Sequence, residues 1–309
     1  ALAHGAEVVS YFRWRQAPFA QEQMHAGLNL PGLHELSQGG REATAVGEEL
    51  RKLGALPGTR QASVAIVYDY ETSWITRIQP QGADFRYYEL VFRWYEAARR
   101  LGLDVDVVRP GADLKGYRLV LVPSLMHITP AAEAALAAAE GIVLMGPRSG
   151  SKTRHHGIPP GLPPGPMSGR LGARVLEVSS LRPGLSDKVK GAVKGTVERW
   201  REHLDVTDGK AIATFANGDP ALVTKGKLHY LAGWPDATLL ASVMKYVSAA
   251  AKLKTTVLPE HIRIRRRGDL TFIFNYGEGR YTAPPGLKPV LGSRSVAAQS
   301  LGVFRSAKA

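Results

Sequence analysis

Glu22 and His25 lie three residues apart, so a helical turn over Ala20–Leu28 sets a carboxylate and an imidazole on one face. Phe12 and Trp14 end a run rich in branched and aromatic residues that reads as a short strand. Together the four bring acidic, imidazole and aromatic groups just beyond a strand's carboxyl end, where barrel enzymes keep their sites. The same set also serves as an ordinary structural turn, and spacing alone does not separate the two. Asp69 and Glu71 form a carboxylate pair of the kind used in acid–base work. They point oppositely if a strand persists there and converge only in a loop, and the alternative is a cap plus a solvent-facing charge.

Three further motifs carry less. Gly146–Thr153 follows a strand with glycines, Lys152 and a threonine. Its glycines are separated by three residues, however, and a serine stands where a phosphate-binding loop needs its lysine, so it reads as a strand-to-loop turn. Ser124 sits near a strand–helix elbow without a matching histidine and acid. His155 and His156 are adjacent, and adjacent histidines rarely converge on one metal ion without other ligands.

The elements that position these residues fall into three stretches. Val8–Trp14 reads as a strand and Glu42–Leu53 as a helix. One strand and one helix cannot enclose a core, so this stretch is expected to end a larger domain. From Ala62, strands at Val64–Tyr68, Val105–Val108, Leu119–Val122 and Ile142–Met145 alternate with helices at Phe85–Leu101 and Pro130–Glu140, which predicts an α/β doubly wound, mostly parallel sheet. Residues 146–172 form a Gly/Pro-rich excursion, read as a lid or an interface loop. Strands at Ala211–Ala216 and Ala221–Ala232 and a helix at Asp236–Ala251 complete that domain. After Leu258–Pro259 come short strands at Ile262–Arg266, Leu270–Tyr276, Lys288–Leu291 and Val303–Arg305, predicting a small antiparallel β domain.

Composition removes whole classes of function. The chain has 309 residues, 44% of them hydrophobic, and no cysteine, which excludes disulfides, thiolate metal sites, iron–sulfur clusters and cysteine nucleophiles. The sheet's likeness to glutamine-amidotransferase and flavodoxin-like architectures therefore cannot extend to thiolate chemistry. No stretch has the ~18 uninterrupted apolar residues of a membrane span, and the start lacks signal-peptide features, so no membrane association is expected. The formal charge is +13, which raises nucleic acid as a partner. The densest cluster is nonetheless in a strand, where Arg263, Arg265 and Arg267 share one face that reads as solvated. No specific nucleic acid is expected.

Several long, ordered motifs resemble a known family: Tyr11–Leu28 (YFRWRQAPFAQEQMHAGL), Tyr68–Trp74 (YDYETSW), Gln79–Gly82 (QPQG), Gly146–Thr153 (GPRSGSKT), Leu162–Pro166 (LPPGP) and Arg267–Gly277 (RGDLTFIFNYG). Over essentially the whole chain they resemble the C-terminal part of the β-galactosidases of glycoside hydrolase family 42. The resemblance implies the last strand and helix of a TIM barrel in residues 1–60, an α/β trimerisation domain in residues 61–255 and a small β-sandwich in residues 256–309. It implies a homotrimer, a cytoplasmic setting, and no cofactor or metal. Retaining enzymes of this type use two carboxylates about 5–5.5 Å apart. In the family both are glutamates on earlier barrel strands, so no catalytic residue is expected among these 309. Phe12, Glu22 and His25 match positions near the galactose subsite, to be completed only with the rest of the barrel. The sequence departs from the family between Leu28 and Gly47 and around Ala131–Gly141.

Two readings follow. In the first, the chain is the trimerisation-bearing portion of a β-galactosidase. In the second, it is a stand-alone, non-catalytic α/β protein for oligomerisation or small-ligand binding. The gene sequence upstream of Ala1 distinguishes them.

Overall fold

The computed structural model describes residues 1–80, 82 and 84–306; Gln81 of the Gln79–Gly82 motif lies outside the described residues. In chain order the elements are α1 (Gln38–Leu53), β1 (Val64–Val67), α2 (Tyr70–Ile78), α3 (Tyr87–Arg100), β2 (Val105–Val108), β3 (Leu119–Val122), α4 (Pro130–Ala138) and β4 (Ile142–Met145). There follow α5 (Ser168–Leu171), β5 (Ala173–Ser180), β6 (Ser186–Gly191), β7 (Gly195–Val206), β8 (Lys210–Phe215), β9 (Pro220–Lys225), β10 (Leu228–Leu231), β11 (Gly233–Pro235) and α6 (Ala237–Ala250). Last come β12 (Ile262–Arg267), β13 (Leu270–Asn275), β14 (Tyr281–Thr282), β15 (Leu287–Leu291), β16 (Ser295–Val296) and β17 (Ser300–Ser306).

The chain divides into two compact units, one of residues 61–259 and one that joins residues 1–60 to 260–309. The larger is built on an 11-stranded sheet in the order β11-β7-β6-β8-β9-β10-β4-β3-β1-β2, with β5 also on β7. β1, β3 and β4 are runs of four apolar residues that are almost wholly buried, as strands covered on both faces must be. They pair in parallel with one another and with β2 and β10. The expectation of a mostly parallel sheet is corrected beyond β10, because β5–β9 and β11 pair antiparallel and the sheet is mixed.

Residues 173–206 gave no strand signal because their polarity breaks the two-residue period. In β7 three successive residues, Trp200, Arg201 and Glu202, are all buried, and Arg199 has a positive φ of 62° that disrupts the alternation. α2 was also unread. Its signal was Asp69 as N-cap, whose carboxylate accepts from the backbone N–H groups of Glu71 and Thr72, while Thr72, Ile75 and Thr76 form the buried face.

α3 and α6 pack against each other over the sheet, with Leu90, Trp94 and Ala98 from one and Leu239, Leu240 and Val243 from the other fully enclosed. The start of α6 is stitched to the start of β7. Asp236 Oδ1 accepts from Leu239 N at 2.7 Å and from Thr196 N at 3.1 Å, and Asp236 N donates to Thr196 O at 2.9 Å.

In the smaller unit β12-β13-β17-β15 form an antiparallel sheet beside the two-stranded β14-β16 pair. Leu53 and Leu56, which follow the exposed body of α1, pack on a small core of Ala3, Leu270, Phe272 and Val303. Two expectations are corrected here. Residues 8–14 form no strand: the pairing in that stretch of chain is an isolated bridge of Arg15 with Asn29, and Val8, Tyr11, Phe12 and Trp14 are exposed. The arginine face of β12 is not solvated, since Arg265 and Arg267 are each only 6% exposed. Arg265 lies across from Phe272 in the sheet, and the Arg267 guanidinium donates to the carbonyls of Pro57 and Ala6 at 2.6 and 3.1 Å and also to that of Leu2. The terminal segment therefore covers the face that sequence alone left to water.

Gly195 tests the β7–α6 seam. A Cβ there meets Leu239 N at 2.3 Å and Cα at 2.6 Å, and φ is +147°. Gly195→Ala is expected to lower stability by roughly 1–3 kcal/mol, the usual cost of overpacking a close approach, read as a lower urea midpoint at unchanged slope.

Candidate functional site

The N-terminal cluster is held by a clamp of backbone hydrogen bonds. Leu28 N donates to Arg13 O at 2.8 Å, Asn29 N to Trp14 O at 2.9 Å, and the Asn29 side chain to Trp14 O at 3.0 Å. The two strands of the clamp approach so closely that a Cβ on Gly27 would sit 2.5 Å from Arg15 Cα, which explains the glycine. Ser37 caps α1, accepting from Gly40 N at 3.1 Å, and donates to Gly27 O at 2.7 Å, which ties the helix to the clamp.

This local fold brings the three residues read from sequence together. The Phe12 and His25 rings meet edge to face at 6.1 Å, and Arg13 joins the group, with its guanidinium 5.2 Å from the centre of the Phe12 ring and 3.4 Å from Glu22. Sequence reasoning had passed over Arg13; its signal was a cation beside an aromatic residue in the same motif. Phe12 and Arg13 also line a cleft of about 480 Å³ closed on its other side by Gln38 and Glu42 of α1, whereas Glu22 and His25 do not line it. Phe12 is 67% exposed, so the cluster presents an aromatic face, a carboxylate and an imidazole to whatever lies beside it. That set hydrogen-bonds hydroxyl groups and covers an apolar ring face. Trp14 is exposed as well and makes no ring contact with the cluster.

The remaining motifs lie in the larger unit and are consumed structurally. Asp69 caps α2, accepting from Thr72 N at 2.8 Å and Thr72 Oγ1 at 2.6 Å, and Glu71 faces His127 at 3.3 Å. In the loop after β4, Ser149 Oγ accepts from Leu125 N at 3.1 Å and donates to Gly146 O at 2.9 Å. Lys152 donates to Gln79 Oε1 at 2.8 Å, so the loop turns its polar groups inward rather than toward a phosphate. Ser124 is fully buried, and among the described residues its hydroxyl has no hydrogen-bond partner and no base beside it. Among the described residues no group of histidines and carboxylates is placed to hold a metal ion, and His155 is exposed.

Sequence reasoning missed Glu202 on β7, a fully buried carboxyl. Its carboxylate is buried and accepts from Arg148 N at 2.7 Å, Trp200 Nε1 at 3.3 Å and Tyr230 Oη at 2.6 Å. Arg148 lies over the rings of Phe85 and Trp200, with its guanidinium carbon 4.7 and 5.0 Å from their centres. Burial pushes the Glu202 carboxyl above its ordinary range and lowers Arg148 to about 10. A carboxyl raised on folding binds more protons in the native state than in the unfolded one. Its contribution is complete below the unfolded value and is lost as pH rises through the folded value. Glu202→Gln keeps an oxygen that accepts from Arg148 N and Trp200 Nε1, turns an NH2 toward Tyr230 Oη, and removes the titration. Urea midpoints measured from pH 4.5 upward are expected to fall less with pH in the variant than in the parent, and parallel curves would show that Glu202 does not titrate in this window.

Comparison with known proteins identifies the family. Residues 62–254 match the β-galactosidase trimerisation domain, and residues 1–53 match a β-galactosidase family model. The β-galactosidase of Thermus thermophilus is 51% identical over 310 residues, which cover 99% of this chain and 48% of the relative, and a β-galactosidase of a Thermus species is 49% identical over the same span. The crystal structure of the β-galactosidase from the psychrophilic Marinomonas ef1 superposes with a TM-score of 0.93 at 37% identity, covering 99% of this chain and 48% of that one. The chain thus spans about half the length of the curated relatives it matches. A segment matching a β-galactosidase family model is followed by an α/β unit matching its trimerisation domain, and the chain belongs to glycoside hydrolase family 42, of whose β-galactosidases it carries the C-terminal portion.

Proposed function

We propose that this chain serves a β-galactosidase by assembling it as a homotrimer and by completing its galactose subsite. The observation that carries the reading is the match of residues 62–254 to the trimerisation domain. The parallel half of the sheet, ordered β2-β1-β3-β4-β10, supports a flavodoxin-like doubly wound class for that domain. The domain limits we assign are residues 1–60, 61–255 and 256–309, and the setting is cytoplasmic.

The self-association face is best drawn by exposed aromatic residues. Tyr70, Trp74 and Ile78 recur every four residues along α2, and Tyr88 and Phe92 stack at 6.2 Å on α3. Exposed apolar area of this kind marks an interaction surface. Sedimentation velocity at tens of micromolar is expected to give three times the chain mass, and Trp74→Asp, at an exposed position that folding does not need, is expected to shift the chain to monomer. A parent that stays monomeric overturns the assembly.

At the subsite, Phe12 flanks the sugar ring while Glu22 and His25 bond its hydroxyls, Glu22 being oriented by Arg13. Bond cleavage needs an acid/base and a nucleophile, and we assign both to the barrel strands of the relatives that this chain does not span. The exposed Val8, Tyr11, Trp14, Phe19 and Met24 then find cover against that barrel. Joining the N-terminal half of the Thermus thermophilus enzyme to Ala1 is expected to give hydrolysis of a chromogenic β-galactoside. Glu22→Ala is expected to lower kcat/KM in that chimera about 10- to 100-fold, the loss of one or two charge-assisted hydrogen bonds. A folded, inactive chimera counts against the reading.

The +13 surface attracts nucleic acid only through its charge. In filter binding that retention is expected to fade by about 150 mM salt, because counterion release is then the whole driving force.

A further inference from the structure

α3 and α6 leave a cleft of about 780 Å³ on the outer surface of the larger unit, within the roughly 300–1,000 Å³ range of small-molecule sites. Its floor is apolar, made by the buried Leu101 and Leu240, with the exposed Ala241 and Val257 beside them. Its rim is cationic. Arg100 ends α3, Lys245 lies on α6, and Lys194 is fixed beside α6 because its N–H donates to Ser242 Oγ at 3.2 Å and because Gly195 lies against Leu239. The two other charged residues there do not alter the balance. Arg93 is engaged by Glu89 and Glu198 at 2.9 and 3.2 Å, and Glu96 supplies one negative charge against three cations. Among the described residues Arg100, Lys194 and Lys245 make no ion pair.

We infer that this cleft binds a small amphipathic organic anion, an apolar alkyl or aryl body bearing one carboxylate, sulfonate or phosphate group. Each half of the ligand answers one half of the site. An inorganic anion leaves the apolar floor wet, and a neutral apolar molecule leaves the excess of positive charge on the rim unanswered. The inference is independent of the galactoside reading, since no residue of the N-terminal cluster takes part.

The probe is anilinonaphthalene sulfonate, titrated by fluorescence and calorimetry into the 309-residue chain, with uncharged phenylnaphthylamine as its neutral counterpart. Two variants at exposed positions dissect the site: Lys194→Glu with Lys245→Glu reverses the rim, and Ala241→Trp fills the floor. The expected result is one sulfonate per chain, bound at least tenfold more weakly after rim reversal and not measurably after Ala241→Trp. The neutral probe is expected to lose binding only with Ala241→Trp. Absence of sulfonate binding to the parent overturns the inference, as does binding that both variants leave within twofold. Weakening by rim reversal without an effect of Ala241→Trp overturns it too, because the attraction is then general. A change in sedimentation coefficient with Ala241→Trp assigns the cleft to a contact between copies instead, and binding of polyglutamate but not the sulfonate assigns it to an acidic protein segment; either result overturns the small-ligand site.

Discussion

β10 holds the larger unit together. It pairs in parallel with β4 along one edge and antiparallel with β9 along the other, so a buried parallel half and a long antiparallel half share one continuous sheet. All four of its residues are buried, and Tyr230, at its centre, donates to Glu202 on β7 while Glu202 accepts from the loop that leaves β4. Three segments far apart in sequence thus converge on one carboxylate at the seam. A buried carboxylate is costly unless its lone pairs are satisfied, and three donors together with the Arg148 charge offset part of that cost.

This arrangement explains why the motif after β4 is not a ligand loop. Its backbone and hydroxyl groups are already bonded to the seam and to the end of β3, and Lys152 turns to Gln79. The polar residues that stand out in the α/β unit are mostly the means by which an interior of mixed strand directions is satisfied. The residues open to other molecules lie elsewhere, in the aromatic stripe of α2 and α3, in the cationic cleft between α3 and α6, and in the cluster around Phe12.

That cluster differs in kind from the seam. Its geometry comes from a short backbone clamp and a helix cap, and it is exposed. Exposure makes its charges weak in isolation, since the Arg13–Glu22 pair at 3.4 Å is screened by water. Covering the cluster removes that water and strengthens the same hydrogen bonds, which is the condition a sugar subsite requires.

The sequence by itself determined the parallel strands β1, β3 and β4, whose short apolar runs bounded by turn residues suit a sheet covered on both faces. It determined the cap at Asp236, because local spacing is enough to specify it, and the family, because its motifs are long and ordered. It also named Phe12, Glu22 and His25 as a group, since one short segment contains them all. Tertiary structure decided what depends on distant partners. Whether Val8–Trp14 is a strand rests on a neighbour to pair with along its length, and the backbone clamp from Leu28 and Asn29 reaches only its last two residues. Whether Arg265 and Arg267 face water rests on residues more than two hundred positions away, whose carbonyls accept from Arg267. β5, β6 and β7 were hidden because a strand whose polar side chains find partners inside no longer alternates, and only the folded chain brings Glu202, Arg148 and Tyr230 within reach of one another.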